Sequence, residues 1–208
     1  MDIQFYGANC VVLSSKGVRL VVDDNLHDLG LKQVARQGDI VLHTNTQAVP
    51  TAEARLCIDG PGEYEVSDIS IIGIAARAHM DEPGAHTATI YRVMADGVTY
   101  LFAGHVYPEL NDEQLEAIGM VDVLFVPVGG NGYTLDAIGA LKLIKAIEPK
   151  LFVPTHYANP VLHYPVPQQS LEEALKTMGM EPKETVAKLR YKPSEVGGAT
   201  QLIVLTQL

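Results

Sequence analysis

The sequence predicts an α/β fold in which mixed β-sheets carry helices on their outer side. The first half of the chain consists of β-branched runs separated by hairpin turns, which is typical of antiparallel strands. The second half alternates apolar runs with helix-like patterns, which is typical of parallel strands joined through helices. No low-complexity linker or break in composition divides the 208 residues, so we expect a single domain that spans residues 1–208.

Strand patterns dominate the first half of the chain. Apolar and β-branched runs occur in the order IQFYG, CVVLSS, VRLVVDD, DIVLH, ARLCIDG, ISIIGIAA and TATIYRVMADGVTYLFAG. Two dipeptides predict hairpin turns, Lys16-Gly17 before VRLVVDD and Asp96-Gly97 inside the last run. The segment LKQVARQG predicts a short helix that ends at Gly38. The segment GPGEYEV predicts a turn that enters an edge strand, which explains its two glutamates without a catalytic role.

Helix patterns enter in the second half. NDEQLEAIG begins with Asn111 as a candidate N-cap and ends at Gly119, and SLEEALKTMGM begins with Ser170 as a candidate N-cap. TLDAIGALKLIKAIEP has apolar residues at helical spacing and stops before Pro149. Between and after these helices lie VDVLFVPVGG, KLFVPTHY and TQLIVLTQL, which are apolar enough to predict buried strands.

Charge and cysteine content restrict the classes of function. The net charge is −10 and the isoelectric point is about 5.0, which argues against nucleic acid as a partner because phosphate backbones favour basic surfaces. Cys10 and Cys57 do not form a CxxC pair, which favours a reduced, cytoplasmic protein. MDIQFYGANC lacks the pattern of a signal peptide. No window is apolar enough for long enough to predict a membrane span.

Four of the seven histidines follow an apolar run at or near its end: His43, His79, His105 and His156. Neutral imidazole is a common zinc ligand, so these four would form a metal site if they converged. Alternatively, each makes an ordinary hydrogen bond near a strand terminus, because the spacing lacks a compact signature such as HExxH. The residues alone leave both interpretations open. We interpret His86 and His163 as surface residues. His27, which lies among three aspartates in VVDDNLHDLG, is either a solvated loop residue or a neighbour of the site.

The order of these motifs resembles the metallo-β-lactamase superfamily, in particular its small lactonase-like branch of metal-dependent hydrolases. The match runs over nearly the whole chain, and four stretches carry it: IQFYGANCVVLSSKGVRLVVDD, GPGEYEV with ISIIGI, ELNDEQLEAIGMVDVLFVPVGG, and YTLDAIGALKLIKAIEPKLFVPTHY. The resemblance implies an αββα sandwich, in which two mixed β-sheets face each other and helices cover the outer faces.

The metal-ligand motif of this family is altered in the present chain. The HxHxDH motif corresponds to residues 43–48, where His43 matches the first histidine. Asn45 replaces the second histidine, Gln47 replaces the aspartate, and Ala48 replaces the last histidine. Amides are poor zinc ligands and alanine is none, so the resemblance implies that the ordinary two-metal site cannot form.

The later positions of the ligand set are partly retained. His79 and His156 match the third and final histidines of the family, whereas His105 replaces the aspartate that bridges two metals. This replacement adds a nitrogen ligand, which favours a rebuilt site in which His43 and these three histidines hold one divalent metal, most simply zinc. Three histidines would leave one coordination position open for catalysis, and four would close the site.

A second account is a metal-free binding protein on the same scaffold, with a small-molecule ligand in the cavity. In either account, two loops are expected to lie near the site. VGGNGY lacks the order of a dinucleotide-binding motif and is expected to lie over the mouth of the site, with Tyr133 near a ligand. HYANPVLHYPVP is expected to cover the cavity or to form a contact in a homo-oligomer.

Overall fold

The computed structural model describes residues 1–15, 17–45, 54–192 and 197–208 and contains two β-sheets. The first sheet has five strands in chain order: β1 (Asp2–Gly7), β2 (Cys10–Ser15), β3 (Val18–Val22), β4 (Ile40–Leu42) and β5 (Leu56–Ile58). Strands β1 to β3 are antiparallel, and β3 to β5 are parallel. The polar loops that follow β3 and β4 therefore emerge at the same end of this sheet.

The second sheet has eight strands in the described part of the chain. In chain order they are β6 (Gly62–Val66), β7 (Ile69–Ala76), β8 (Ala88–Ala95), β9 (Val98–Phe102), β10 (Val123–Pro127), β11 (Leu151–Thr155), β12 (Glu184–Val186) and β13 (Gln201–Leu205). Their spatial order is β12-β13-β11-β10-β9-β8-β7-β6. The antiparallel part runs from β6 to β9 and the parallel part from β9 to β12.

Three α-helices pack on the outer face of the eight-stranded sheet: α1 (Asp112–Ile118), α2 (Ala137–Ile147) and α3 (Leu171–Met178). Inward-facing residues of both sheets form one hydrophobic core between the sheets. The outer face of the five-stranded sheet is covered instead by a 3₁₀ helix over Leu26–Leu29 and its neighbours. The predicted αββα fold class is confirmed, and the described α-helices all lie on one side. No helix within the described ranges combines the length and apolarity needed to cross a bilayer.

The predicted hairpin turn at Asp96-Gly97 and the predicted N-caps of α1 and α3 are present in the structure. Asp96 and Gly97 have φ values of 50° and 71°, which is the left-handed conformation that a tight hairpin turn requires. The side chains of Asn111 and Ser170 cap α1 and α3, each in a reciprocal capping box. GEYEV forms β6 at the edge of its sheet. Lys16 lies outside the described residues.

The predicted helix over residues 31–38 is wrong, because this segment contains no regular helix. The reason is a competing hydrogen-bond acceptor. One carboxylate oxygen of the buried Asp24 accepts the backbone N–H groups of Val34 and Ala35 at 2.7 and 2.6 Å. The carboxylate therefore binds the Ala35 amide, which a helix beginning at Leu31 would bind through the Leu31 carbonyl.

Candidate functional site

The four strand-end histidines lie where the sequence predicts them. His43 and His156 directly follow β4 and β11, while His79 and His105 lie three residues beyond β7 and β9. Two backbone hydrogen bonds join their loops to other parts of the site. His79 N–H donates to the carbonyl of His105 at 2.6 Å, and His156 N–H donates to the carbonyl of Ala8 at 2.7 Å. Loops from both sheets therefore meet around these residues.

His105 and His156 form a close pair. Their ring centroids are 4.5 Å apart, and the rings are nearly perpendicular at 82°. Burial lowers the pKa of His105 to about 4. Burial, and then the neighbouring His105, lower the pKa of His156 to about 3. Both rings are therefore neutral at physiological pH, and a neutral imidazole keeps one unprotonated nitrogen as an acceptor or ligand.

Gln168 orients the ring of His156. Its Oε1 lies 3.2 Å from His156 Nδ1, and its Nε2 donates to the carbonyl of Val166 at 2.8 Å. Because the amide nitrogen is engaged by a carbonyl, Oε1 is the group that faces the ring and Nδ1 must carry the proton. A Cβ atom at Gly129 would overlap both the Gln168 amide oxygen and the His156 carbonyl, so this arrangement requires glycine there. The unprotonated nitrogen of His156 is therefore Nε2.

We expect Gln168→Leu to change the tautomer of His156, because leucine removes the acceptor for Nδ1–H. Long-range ¹H–¹⁵N correlation spectra of the imidazole report which nitrogen carries the proton. The wild-type protein should show the Nδ1–H tautomer, and the variant should lose its predominance. Gln169→Leu is the matched control, because Gln169 forms its hydrogen bonds with Gly129 and Ala158 through backbone groups, which the substitution keeps. An unchanged tautomer in Gln168→Leu would contradict this assignment.

His79 is half-buried beside the pair. Burial lowers its pKa, while the charge of Asp136 opposes that change. Its Nδ1 has no hydrogen-bond partner among the described residues, and its ring lies 6.3 Å from that of Tyr107. His79 is an electrostatic neighbour of His105, whose pKa it lowers slightly.

His43 is held by the first sheet. It is 2% exposed, its backbone N–H donates to the carbonyl of Ile58 at 2.9 Å, and its Nε2 has no partner among the described residues. Burial lowers its pKa, and the charges of Asp59 and Asp24 oppose that effect. The backbone of His43 is therefore hydrogen-bonded within the five-stranded sheet. His79, His105 and His156 instead follow strands of the eight-stranded sheet.

Asp23 anchors the loop that follows His43. Its carboxylate accepts the N–H of Thr44 at 2.7 Å and the Thr44 hydroxyl at 2.6 Å. Desolvation raises the pKa of Asp23 to about 6, although the two hydrogen bonds from Thr44 oppose the rise. The Thr44 carbonyl in turn accepts the N–H of Thr89 at 2.8 Å. The loop after β4 is thus tied to β3 and to the second sheet.

Tyrosines from two loops surround the histidine pair. The ring of Tyr133, in VGGNGY, lies 5.2 Å from that of His105 and 5.8 Å from that of His156. The ring of Tyr164, in HYANPVLHYPVP, lies 4.7 Å from that of His156. Tyr133 therefore lies against the histidine pair, and its contact with a ligand stays a prediction. The second loop packs on the pair, as the interpretation of it as a cover requires.

Among the described residues, the donors form no group that could hold a metal ion, whether one ion or two. Across residues 1–15, 17–45, 54–192 and 197–208, no three His, Cys, Asp or Glu side chains are grouped so that they could hold a metal ion. Asn45 is exposed and pairs with Ala88 in an isolated β-bridge. Gln47 and Ala48 lie outside the described residues. The four-histidine, single-metal set therefore stays a prediction.

Sequence reasoning missed the groups that support the histidines, namely Gln168, Tyr164, the Asp23–Thr44 pair and Asn9. The Oδ1 of Asn9 accepts the hydroxyl of Thr155, which directly precedes His156. Only Asp23 carried a local signal, because it follows directly on a buried strand in VRLVVDD. The others act on residues that are distant along the chain. Gln168, for example, is 12 residues from His156 and belongs to no regular element.

Comparison with known proteins identifies relatives over most of the chain. The model of a family described as "Beta-lactamase superfamily domain" matches residues 2–156. A protein from Pyrococcus furiosus that is named a metal-dependent hydrolase is 30% identical over 132 residues, which cover 61% of this chain and 56% of the relative. This match spans little more than half of the relative's length.

Solved structures show the same architecture. A member of the metallo-β-lactamase superfamily from Thermotoga maritima has a TM-score of 0.73 at 22% identity, covering 99% of this chain and 98% of that chain. A metallo hydrolase from Ignicoccus hospitalis has a TM-score of 0.59 at 16% identity, covering 92% of this chain and 99% of that chain. At these identities the likeness establishes the fold alone. Because the family match covers residues 2–156, the chain belongs to the β-lactamase superfamily and has the metallo-β-lactamase fold.

Proposed function

We propose that this chain is a hydrolase-like member of its superfamily whose altered site holds at most one divalent metal ion, with zinc as the first choice. The Pyrococcus furiosus relative is named a metal-dependent hydrolase, and the Thermotoga maritima structure is described as a candidate Zn-dependent hydrolase. These names support descent from metal-dependent hydrolases. The substrate class is left open by the same comparisons.

The close pair of His105 and His156 carries this proposal. Where the family resemblance places a metal-bridging carboxylate, this chain has the neutral ring of His105, 4.5 Å from that of His156. A carboxylate can bridge two cations through two oxygens, whereas an imidazole offers one lone pair. The exposed Asn45 amide adds no strong zinc ligand. This chemistry favours one ion or none.

Metal content measured on protein purified without chelator tests the proposal directly. We expect no more than one zinc, iron or manganese per chain after incubation with excess metal. If one ion binds, zinc at about 100 times its Kd should stabilise the fold by roughly 3 kcal/mol in a thermal-shift experiment. His105→Ala and His156→Ala should remove both the metal and the shift. His86→Ala is the matched control, because His86 is exposed and lies outside the histidine pair. Two metal ions per chain would contradict the proposal.

The second candidate is a metal-free protein that binds a small molecule at the same place. It is favoured by the lack of three grouped donors among the described residues and by the tyrosine rings around the pair. No bound metal and no zinc-induced shift would select this candidate. A net charge of −10 weighs against nucleic acid as the ligand in either case. A homo-oligomer is compatible with both candidates.

A further inference from the structure

A small cavity lies between the two sheets, next to the histidine pair. Gly104 and Thr155, which directly precede His105 and His156, form part of its wall from the second sheet. Asn9 and Asp23 form part of its wall from the first sheet. The cavity offers about 10 Å³ to the centre of a water-sized sphere, which is close to the space that one water molecule requires.

The cavity contains a buried amide group with an unmet hydrogen bond. Asn9 is 7% exposed, and its Oδ1 accepts the hydroxyl of Thr155 at 2.8 Å. Its Nδ2 has no partner in the described parts of the chain. If the amide were turned round, Oδ1 would be left unpaired instead, so one polar atom of Asn9 needs a further partner in either orientation.

A second polar group faces the same space. The carboxylate of Asp23 accepts two hydrogen bonds from Thr44, one on each oxygen, and each oxygen keeps a further lone pair. The apolar part of the wall includes Phe102 and Phe125, which stack with a centroid distance of 4.7 Å. A polar cavity of this size with an amide donor and a carboxylate acceptor has the features of an internal hydration site.

We propose that this cavity is a binding site for one ordered water molecule, which accepts a hydrogen bond from Asn9 Nδ2 and donates one to the Asp23 carboxylate. The chain of contacts then runs from Thr44 through Asp23, the water and Asn9 to Thr155. It joins the loop that carries His43 to the strand end that carries His156, across the two sheets. This inference goes beyond the proposed function, because it requires neither a metal nor a substrate.

A crystal structure of the full chain at a resolution that shows ordered water is the first test. We expect one water within hydrogen-bond distance of both the Asn9 amide and the Asp23 carboxylate. Nuclear Overhauser effects between water and the Asn9 amide protons give an independent measurement in solution. In Asn9→Leu, which has a similar volume but no amide, the ordered water in the cavity should drop from one to none.

Thr134→Val is the matched control for this variant. Thr134 is also buried, and its hydroxyl has no partner among the described residues, yet it does not line the cavity. The water should therefore persist in Thr134→Val. A dry cavity in the wild-type protein, a direct bond between Asn9 and Asp23, or a water that remains in Asn9→Leu would overturn the proposal. If Asn9→Leu does not fold, the two wild-type measurements decide.

Discussion

Replacing Gly104 by alanine should destabilise the protein by roughly 2 to 5 kcal/mol, measured by urea unfolding. Two effects add at this position. Gly104 has a φ of 60°, a conformation that L-residues adopt at a cost of about 1–2 kcal/mol. A Cβ atom there would also overlap Oγ1 and Cβ of Thr44, and overpacking of this kind typically costs about 1–3 kcal/mol.

Gly132→Ala separates these two effects. Gly132 has a φ of 72°, but a Cβ atom there would meet nothing within 4 Å. This variant should therefore show only the backbone cost of about 1–2 kcal/mol. The excess loss in Gly104→Ala measures the contact with Thr44. Equal losses in the two variants would show that Thr44 moves away without cost and that the loop after His43 is not held against the second sheet.

The strands, hairpins and caps could be predicted because their causes are local. Asp96-Gly97 supplies the left-handed backbone of its turn. The side chains of Asn111 and Ser170 each accept a hydrogen bond from the backbone N–H three residues later in the chain. The failed helix over 31–38 shows the limit of this reasoning. Asp24 and the amides it binds are 10 and 11 residues apart, so no local pattern reports the competition.

The candidate site could likewise be predicted only in part from the sequence. Each histidine could be placed at a strand end, because apolar runs and the polar residues after them are visible in the sequence. The pairing of His105 with His156 could not be derived from local pattern, since they are 51 positions apart and two helices, α1 and α2, lie between them. The left-handed backbone of His156, with a φ of 51°, and the approach of Gln168 also depend on contacts between loops. The family resemblance suggested a shared site, and the structure adds the geometry of the pair.

Acid should destabilise the metal-free protein, because His105 and His156 stay neutral in the folded state. Their pKa values are lowered from 6.5 to about 4 and about 3, so below pH 6.5 the unfolded chain binds protons that the folded chain does not. Each such histidine costs about 1.4 kcal/mol of stability per pH unit. The stability that they contribute is present above pH 6.5 and is lost as the pH falls towards their folded pKa values.

Asp23 acts in the opposite direction. Its pKa is raised from 3.8 to about 6, so between these values the folded chain binds a proton that the unfolded chain does not. Among these three groups, two histidines against one carboxylate leave a net loss of about 1.4 kcal/mol per pH unit, or roughly 3 kcal/mol between pH 6 and pH 4. His43 and His79, whose pKa values burial also lowers, add to this loss. Urea unfolding of chelator-treated protein at several pH values measures this slope.

Two variants should change the slope in opposite directions, which makes the assignment of the charges testable residue by residue. Asp23→Asn removes the opposing carboxylate and should steepen the loss by about 1.4 kcal/mol per pH unit. His156→Asn removes one histidine and keeps a residue type that tolerates a positive φ, so the loss should become shallower by about 1.4 kcal/mol per pH unit. If the wild-type stability did not fall between pH 6 and pH 4, at least one of the paired rings would carry a proton in the folded state. A ring that is protonated on both nitrogens has no free lone pair, so in that pH range the ring could neither bind a metal ion nor accept a hydrogen bond from a ligand.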